Sequence, residues 1–308
     1  MRGEFMAQMS RQQEYTELMK VLREYRFDGF YYYMDFAEFA KAYKSGGIKG
    51  EEHRNWVALD TQKFVRMRYT PKPDELYEME GIKLEEERLP HMPIPVCLVF
   101  DSRVAGTDGV RFADGDSTIR GTVFYKDMLT AKDNLDWRSI FRPAPANRNE
   151  HDRESRLRAA ELLYPDKVPF DYVEKIIFRT EADRKNAKFL LGPDARYSVN
   201  NKKFFCFKGF NIGPNDRKNI FNYLIDYDIE IRRGVEVELI YRFASDDIKE
   251  YKHEFNITYQ NGDQLIDDEG YFKDGLLWHW IGELDYDMPF TLTYKINGHL
   301  VIYYTFGY

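Results

Sequence analysis

The stretch from Val110 to Phe178 constrains the fold more than any other, because near its end a single acid heads a short apolar run. Leu162, Leu163 and Tyr164 read as a buried strand that stops at Pro165, and Glu161 stands at its first position, after Ala159 and Ala160. Residues Arg153 to Ala160, polar with Leu and Ala interleaved, read as helix. Apolar neighbours on both sides put the Glu161 carboxylate where burial is costly unless it has a partner or a task. After the Pro165-Asp166-Lys167 turn, Asp171 is expected to cap one helical turn, and Ile176, Ile177 and Phe178 to form a second buried strand. Upstream, Ile94 to Phe100 (IPVCLVF) is a continuous apolar run and reads as a central strand. Leu135-Asp136-Trp137 caps and starts a helix.

Three segments, in this order, carry a family resemblance. They are FADGDSTIRGTVFYKDM from Phe112, LDW from Leu135, and RLRAAELLYPDKVPFDYVEKI from Arg156. Together they resemble the DarT-type nucleic-acid ADP-ribosyltransferases, in which an F-T-D-G-H-like segment, an L-D-W and a q-A-E-f-L-V-y...vP...I segment recur with similar spacing. The resemblance spans about residues 27 to 180. It implies an ADP-ribosyltransferase-like catalytic domain that uses NAD as co-substrate and no metal. The implied substrate is a base of single-stranded DNA or RNA, and the implied setting is the toxin of a toxin-antitoxin or phage-defence system.

The same resemblance assigns residues. Glu161 takes the catalytic position. The family's opening strand, Y-H-I-T-H, lays a histidine against NAD; here Tyr31 or Tyr32 stands there, able to stack and donate a hydrogen bond but not to reproduce a histidine's charge behaviour. Arg54 is the nearest match by order to a cofactor-holding arginine. The run Phe64 to Pro73 is similar to Y-V-P-F-Y-F-x-P-R-S-P-M, which puts Tyr69 toward the cofactor, with Lys72 in place of the arginine and Pro73-Asp74-Glu75 in place of S-P-M. Asp116 stands for the histidine of F-T-D-G-H and is grouped with the substrate-binding residues. Between Arg138 and Arg158 lies the densest arginine run, diluted by Glu150, Asp152 and Glu154. Arginines in a loop ahead of a catalytic acid suit a phosphate-tracking groove, which makes Arg142, Arg148 and Arg158 the expected substrate contacts. The missing histidine and the altered S-P-M segment leave two other readings open: a protein-directed ADP-ribosyltransferase, and an inactive binding module.

With 45 Lys and Arg against 52 Asp and Glu, the net charge is -7, so any nucleic-acid site must be a local patch. Cys97 and Cys206 lie in apolar strand-like runs without zinc or redox spacing, which points to a reducing cytoplasm. No apolar run approaches a membrane span, and the polar start MRGEFMAQMS is unlike a signal peptide. Arg2-Gly3-Glu4-Phe5 reads as a vector-derived extension, with a natural start expected at Met6 or Met9. No nucleophile triad, P-loop, Rossmann glycine pattern or zinc cluster is found in the sequence.

Taken in order, Gln12 to Tyr25 is expected to be an amphipathic helix, Phe30 to Met34 a strand, and Asp35 the cap of a helix ending at Gly46-Gly47. From Tyr197 the texture changes. Lys203–Phe210, Val235–Phe243, Tyr251–Tyr259, Leu276–Leu284, Phe290–Ile296 and His299–Phe306 are strand-length, rich in aromatic and β-branched residues, and set off by turns such as Asn297-Gly298. The expected architecture is α+β: a catalytic domain over residues 10–196, a linker near Leu191 to Asp194, and an antiparallel, immunoglobulin-like sandwich over 197–308. The second domain is expected to hold a protein partner such as an antitoxin.

Overall fold

The computed structural model describes residues 2–52, 63–71, 81–82, 92–142, 156–205, 224–232, 236–243, 252–267, 270–273, 276–281 and 287–307. The chain divides into two compact units, the first of Met1–Tyr32, Ala42–Pro71 and Leu98–Lys175, the second of Tyr33–Lys41, Lys72–Cys97 and Ile176–Tyr308. Both helices and sheets are present, as expected for a mixed fold.

The strands up to residue 199 are β1 (Phe30–Asp35), β2 (Gly47–Lys49), β3 (Glu51–Glu52), β4 (Lys63–Arg68), β5 (Pro95–Phe100), β6 (Arg111–Ala113), β7 (Phe124–Tyr125), β8 (Glu161–Pro165), β9 (Lys167–Pro169), β10 (Val173–Phe178) and β11 (Tyr197–Val199). In the first unit they run in the order β10-β5-β1-β4-β8-β6-β7, with β3 also on β4 and a separate β2-β9 pair. The apolar run at Ile94 becomes β5, buried at every residue and flanked on both sides, the central position its sequence requires. Around β8 the pleat sorts side chains by face. Val65, Met67, Leu162, Tyr164 and Phe112 are all buried, and opposite them in the alternation come Arg66, Arg68, Glu161 and Ala113. Phe64 and Leu163 bury each other at the far end of that second face, with Phe124 against them.

Local chemistry sets the ends of these elements. The Pro165-Asp166-Lys167 turn puts Asp166 at φ +56, a conformation asparagine and aspartate tolerate best among residues with a side chain. Asp136 caps the Trp137–Phe141 helix by accepting from Ser139 N–H, and Asp127 does the same for Met128–Asn134 through Thr130 N–H. Asp171 does not cap: Pro169 occupies the N-cap of the 3-10 turn Phe170–Tyr172, and no side chain bonds there. The N-terminal helix runs over Arg2–Glu24, starting ten residues ahead of the expected Gln12, since no proline interrupts Arg2 to Arg11 and Ser10 does not end the helix.

In the second unit, Asp35 accepts from Ala37 N–H at the start of the Phe36–Lys44 helix, and Phe36 and Phe39 pack on Phe178. There β11 lies parallel to the end of β10, with Ile176 opposite Tyr197 and Phe178 opposite Val199. The remaining strands are β12 (Leu224–Arg232), β13 (Glu236–Phe243), β14 (His253–Tyr259), β15 (Gln264–Asp267), β16 (Gly270–Lys273), β17 (Leu276–Ile281), β18 (Phe290–Ile296) and β19 (His299–Phe306). They make two antiparallel sheets, β12-β13-β17-β16 and β15-β14-β18-β19. Asn297 and Gly298, at φ +47 and +79, form the β18-β19 turn that the sequence announces. The expected strand from Lys203 is instead preceded by a helical turn, Asn201–Phe204, with Asn200 accepting from Lys203 N–H; residues 206–223 lie outside the described ones. The Glu181–Leu191 helix is anchored to β12 and β19 through Asn186, whose amide donates to Val301 O at 2.5 Å and accepts from Tyr303 N–H at 3.0 Å and Tyr227 OH at 3.2 Å. Among the described residues no helix is long and apolar enough to cross a membrane.

Candidate active site

Glu161 opens β8 opposite two neighbours, Arg68 on β4 and Ala113 on β6. The alanine leaves room beside the carboxylate and the arginine supplies its charge partner. Glu161 is 1% exposed, so its two oxygens need partners from the protein. Ser117 N–H donates to Oε2 at 2.8 Å, and Arg68 Nε lies 3.3 Å from Oε1. Arg68 Nη1 also donates to Ala159 O at 2.9 Å, tying the guanidinium to the backbone just ahead of the acid.

Asp116 joins the same cluster from the loop after β6. Its Oδ2 lies 3.6 Å from Arg68 Nη2 and its Oδ1 3.8 Å from Arg66 Nη1, while Thr118 donates to Oδ1 through both N–H (2.8 Å) and Oγ1 (2.6 Å). Burial pushes the Asp116 carboxyl up, but the Thr118 hydrogen bonds and the two guanidiniums outweigh it and hold the group below the ordinary carboxylate range. Behind the loop, Arg156 bonds Asp114 at 3.2 Å and Gly121 O. Gly115 packs so tightly on Arg156 that an added Cβ would lie 3.0 Å from its Cγ and 3.2 Å from its carbonyl oxygen.

The other residues singled out by sequence fall as follows. Tyr31 sits opposite Arg68 in β1, so Tyr31, Arg68, Glu161 and Ala113 form one row across four strands; its hydroxyl donates to Asp28 and the residue is 1% exposed. Tyr32 alternates to the other face of β1 and is half-buried. Tyr69 lies in an aromatic cluster, its ring centroid 5.3 Å from Phe30 and 5.4 Å from Trp137, with Phe27 and Phe141 further out. Its hydroxyl is buried without a hydrogen-bond partner among the described residues, and burial raises its pKa. Arg142 is exposed at the end of the Trp137–Phe141 helix, and Arg158 is half-buried, its buried Nη1 without a hydrogen-bond partner among the described residues. Arg54, Lys72 and Arg148 lie outside the described residues. Asp116 and Glu161 are thus brought together, with Tyr31 in register, whereas Tyr69 belongs to an aromatic core.

Sequence reasoning did not single out Arg66, Arg68 or Ser117. A signal for the arginines was present: Arg66-Met67-Arg68 alternates charge and apolar side chain inside a strand, which puts two guanidiniums on one face. Among the described residues no group of three or more His, Cys, Asp and Glu could hold a metal ion.

Comparison with known proteins gives one family model and several solved structures. The family model described as "ssDNA thymidine ADP-ribosyltransferase, DarT" matches residues 41–205, more than half of the chain. Among solved structures, DarT of Thermus sp. 2.9 in complex with NAD+ is similar at TM-score 0.46 and 14% identity, covering 57% of this chain and 96% of that one. The same protein in complex with ADP-ribosylated ssDNA gives TM-score 0.45 at 14% identity, with 57% and 95% covered. Thermosipho africanus DarTG in complex with ADP-ribose gives 0.38 at 16% identity, covering 56% of this chain and 49% of that one. No curated protein sequence matches the chain.

Proposed function

This chain belongs to the DarT family of ssDNA thymidine ADP-ribosyltransferases, and from that premise we propose that it transfers ADP-ribose from NAD to the thymine base of single-stranded DNA. The observation that carries the chemistry is the buried Glu161 carboxylate, held by Ser117 N–H and facing Arg68. A carboxylate offers about four lone-pair sites, so these two partners leave acceptor capacity for ribose hydroxyls. In the reaction the C1′ bond to nicotinamide breaks and nicotinamide leaves with the bonding pair. The ribose gains oxocarbenium character, and the thymine ring nitrogen forms the new bond to C1′ as its proton is released. Glu161 orients the ribose, stabilises the positive charge and assists loss of that proton.

Tyr31 and Tyr32 are the side chains for the nicotinamide end of NAD, Tyr31 buried in register with Glu161 and Tyr32 half-buried, with Arg54 supporting the cofactor. Arg142, Arg148 and Arg158 track the strand's phosphates, a role that the exposure of Arg142 at the end of the Trp137–Phe141 helix supports. The division of labour is a catalytic domain over 10–196 and a partner module over 197–308, the family match ending at residue 205. The C-terminal strands pack as an immunoglobulin-like sandwich; the two strand orders support this, since they repeat the A-B-E-D and C′-C-F-G neighbour pattern of that fold. The edges β15 and β16 offer backbone to a protein partner, an antitoxin that restrains the enzyme in the cytoplasm.

Mass spectrometry of short oligonucleotides incubated with protein and NAD tests the reading. One ADP-ribose adduct should form on a single-stranded DNA containing one thymidine and none on the same strand with that thymidine replaced. Adducts that appear on the protein, or on RNA in preference to DNA, would displace the proposal.

A further inference from the structure

The charge cluster around Glu161 contains more than the transfer reaction demands of a single acid. Arg68 is a planar fork with each arm engaged: Nε toward Glu161 at 3.3 Å, Nη2 toward Asp116 at 3.6 Å, and Nη1 donating to Ala159 O at 2.9 Å. Its side chain is 20% exposed and lies beside a carboxylate that is 1% exposed. A rigid guanidinium held at three points fixes what it touches in a way that a flexible ammonium does not. One of those points is the backbone two residues before Glu161, so the fork fixes the acid's main chain as well as its side chain.

We infer that Arg68 is the positioning residue of the transfer reaction, locking the Glu161 carboxylate in its working orientation while Asp116 compensates the charge that this lock introduces. An arginine alone beside a catalytic carboxylate would cancel the negative charge a developing oxocarbenium needs. With Asp116 on the opposite arm, the Arg68 charge is shared between two carboxylates, so Glu161 is oriented without taking the whole of it. Arg66 reaches Asp116 only at 3.8 Å from a more exposed position, so solvent screens it more strongly. The loop is registered to the acid a second time through Ser117 N–H, and Thr118 pins the far oxygen of Asp116 so that its other oxygen faces Arg68. Arg68 acts through Glu161, and this role rests on the transferase reading above.

Initial rates of ADP-ribose transfer to a thymidine-containing single strand, measured on the full chain, test the inference. Arg68→Ala should lower kcat by about 100-fold with KM for NAD within about threefold, since orientation of the acid and not cofactor affinity is lost. Added guanidinium ion, well below denaturing concentration, should recover at least about tenfold of that rate, and should recover nothing in Glu161→Gln. Arg68→Lys keeps the charge but not the fork and should fall between the two. Asp116→Asn should lower kcat by about tenfold at unchanged KM, because Arg68 then neutralises Glu161. The inference is overturned if Arg68→Ala retains parental kcat, if its defect lies in KM for NAD, or if guanidinium restores nothing. Should Arg68→Ala fail to fold, a folded Arg68→Lys with parental kcat overturns it equally. A parent chain that transfers nothing to DNA defeats the proposed function instead, so the two failures are told apart.

Discussion

At residue 161 a charge is buried in an otherwise apolar strand, and the neighbours that make this tolerable come from two other segments, β4 and the loop after β6. The acid itself was legible in the sequence, because a glutamate between Ala160 and Leu162 at the start of a strand asks for a reason. Its partners were not: the pairing of Arg68 with Glu161 spans more than ninety residues of chain, and register at that separation is set by packing that no local pattern reports. Tyr31 shows the same limit from the other direction. The sequence offered Tyr31 or Tyr32 for the cofactor's ring, and the register puts Tyr31 in line with Glu161, but its hydroxyl bond to Asp28 could not be read in advance. Tyr31→Phe keeps the ring and loses that bond, so urea unfolding should show a loss of about 1–2 kcal/mol. Because the ring is retained and is only 1% exposed, KM for NAD should stay within about threefold of the parent.

Elements follow from short-range chemistry, and here most of the sequence reading concerns ends and turns. Strands β8, β18 and β19 begin where their patterns do, since the apolar run ahead of Pro165, the period-two burial of β18 and the Asn297-Gly298 turn are local signals. The Asn201–Phe204 turn was read as strand because Phe204 and Phe205 mimic a β pattern; both are buried, and Tyr33 OH donates to Phe204 O at 2.9 Å. Gly29 ahead of β1 shows what close packing demands. At φ +139, an added Cβ would lie 2.6 Å from Val99 Cγ1 and 2.7 Å from Phe100 O. Gly29→Ala should therefore cost roughly 2–4 kcal/mol by chemical denaturation.

The Glu181–Leu191 helix carries the other element-scale prediction. Thr180 and Asp183 form its capping box, and burial raises the Asp183 carboxyl from 3.8 to about 7 despite the Thr180 hydrogen bonds and the Arg179 charge, with Asp35 adding to the rise. The folded state then holds a proton that the unfolded state has released, so this contribution is complete below the unfolded value and is lost as pH rises toward 7. Stability should fall across that window by on the order of a few kcal/mol. Asp183→Asn should flatten the slope, as measured by urea midpoints at pH 4.5, 6 and 7.5; an unchanged slope would place the titrating group elsewhere.

Over the whole molecule, net charge is -7, and the arginines of the Glu161 cluster and the loop behind it, Arg66, Arg68 and Arg156, each face an acid, Asp116, Glu161 or Asp114. The family match ends at residue 205, and the strand-rich texture of the sequence begins at Tyr197. The alternation of aromatic and β-branched residues made those strands visible, whereas their order in two sheets depends on pairings between distant segments. The central claim is that Glu161 performs NAD-dependent transfer to a thymidine, and one comparison tests it most directly. Parent and Glu161→Gln chains are incubated with NAD and a single-thymidine strand, with NAD binding followed by calorimetry and the DNA adduct by mass spectrometry. Both chains should bind NAD alike, and the adduct rate should fall by about a thousandfold or more in Glu161→Gln. A variant that modifies the strand at near the parental rate would contradict the account.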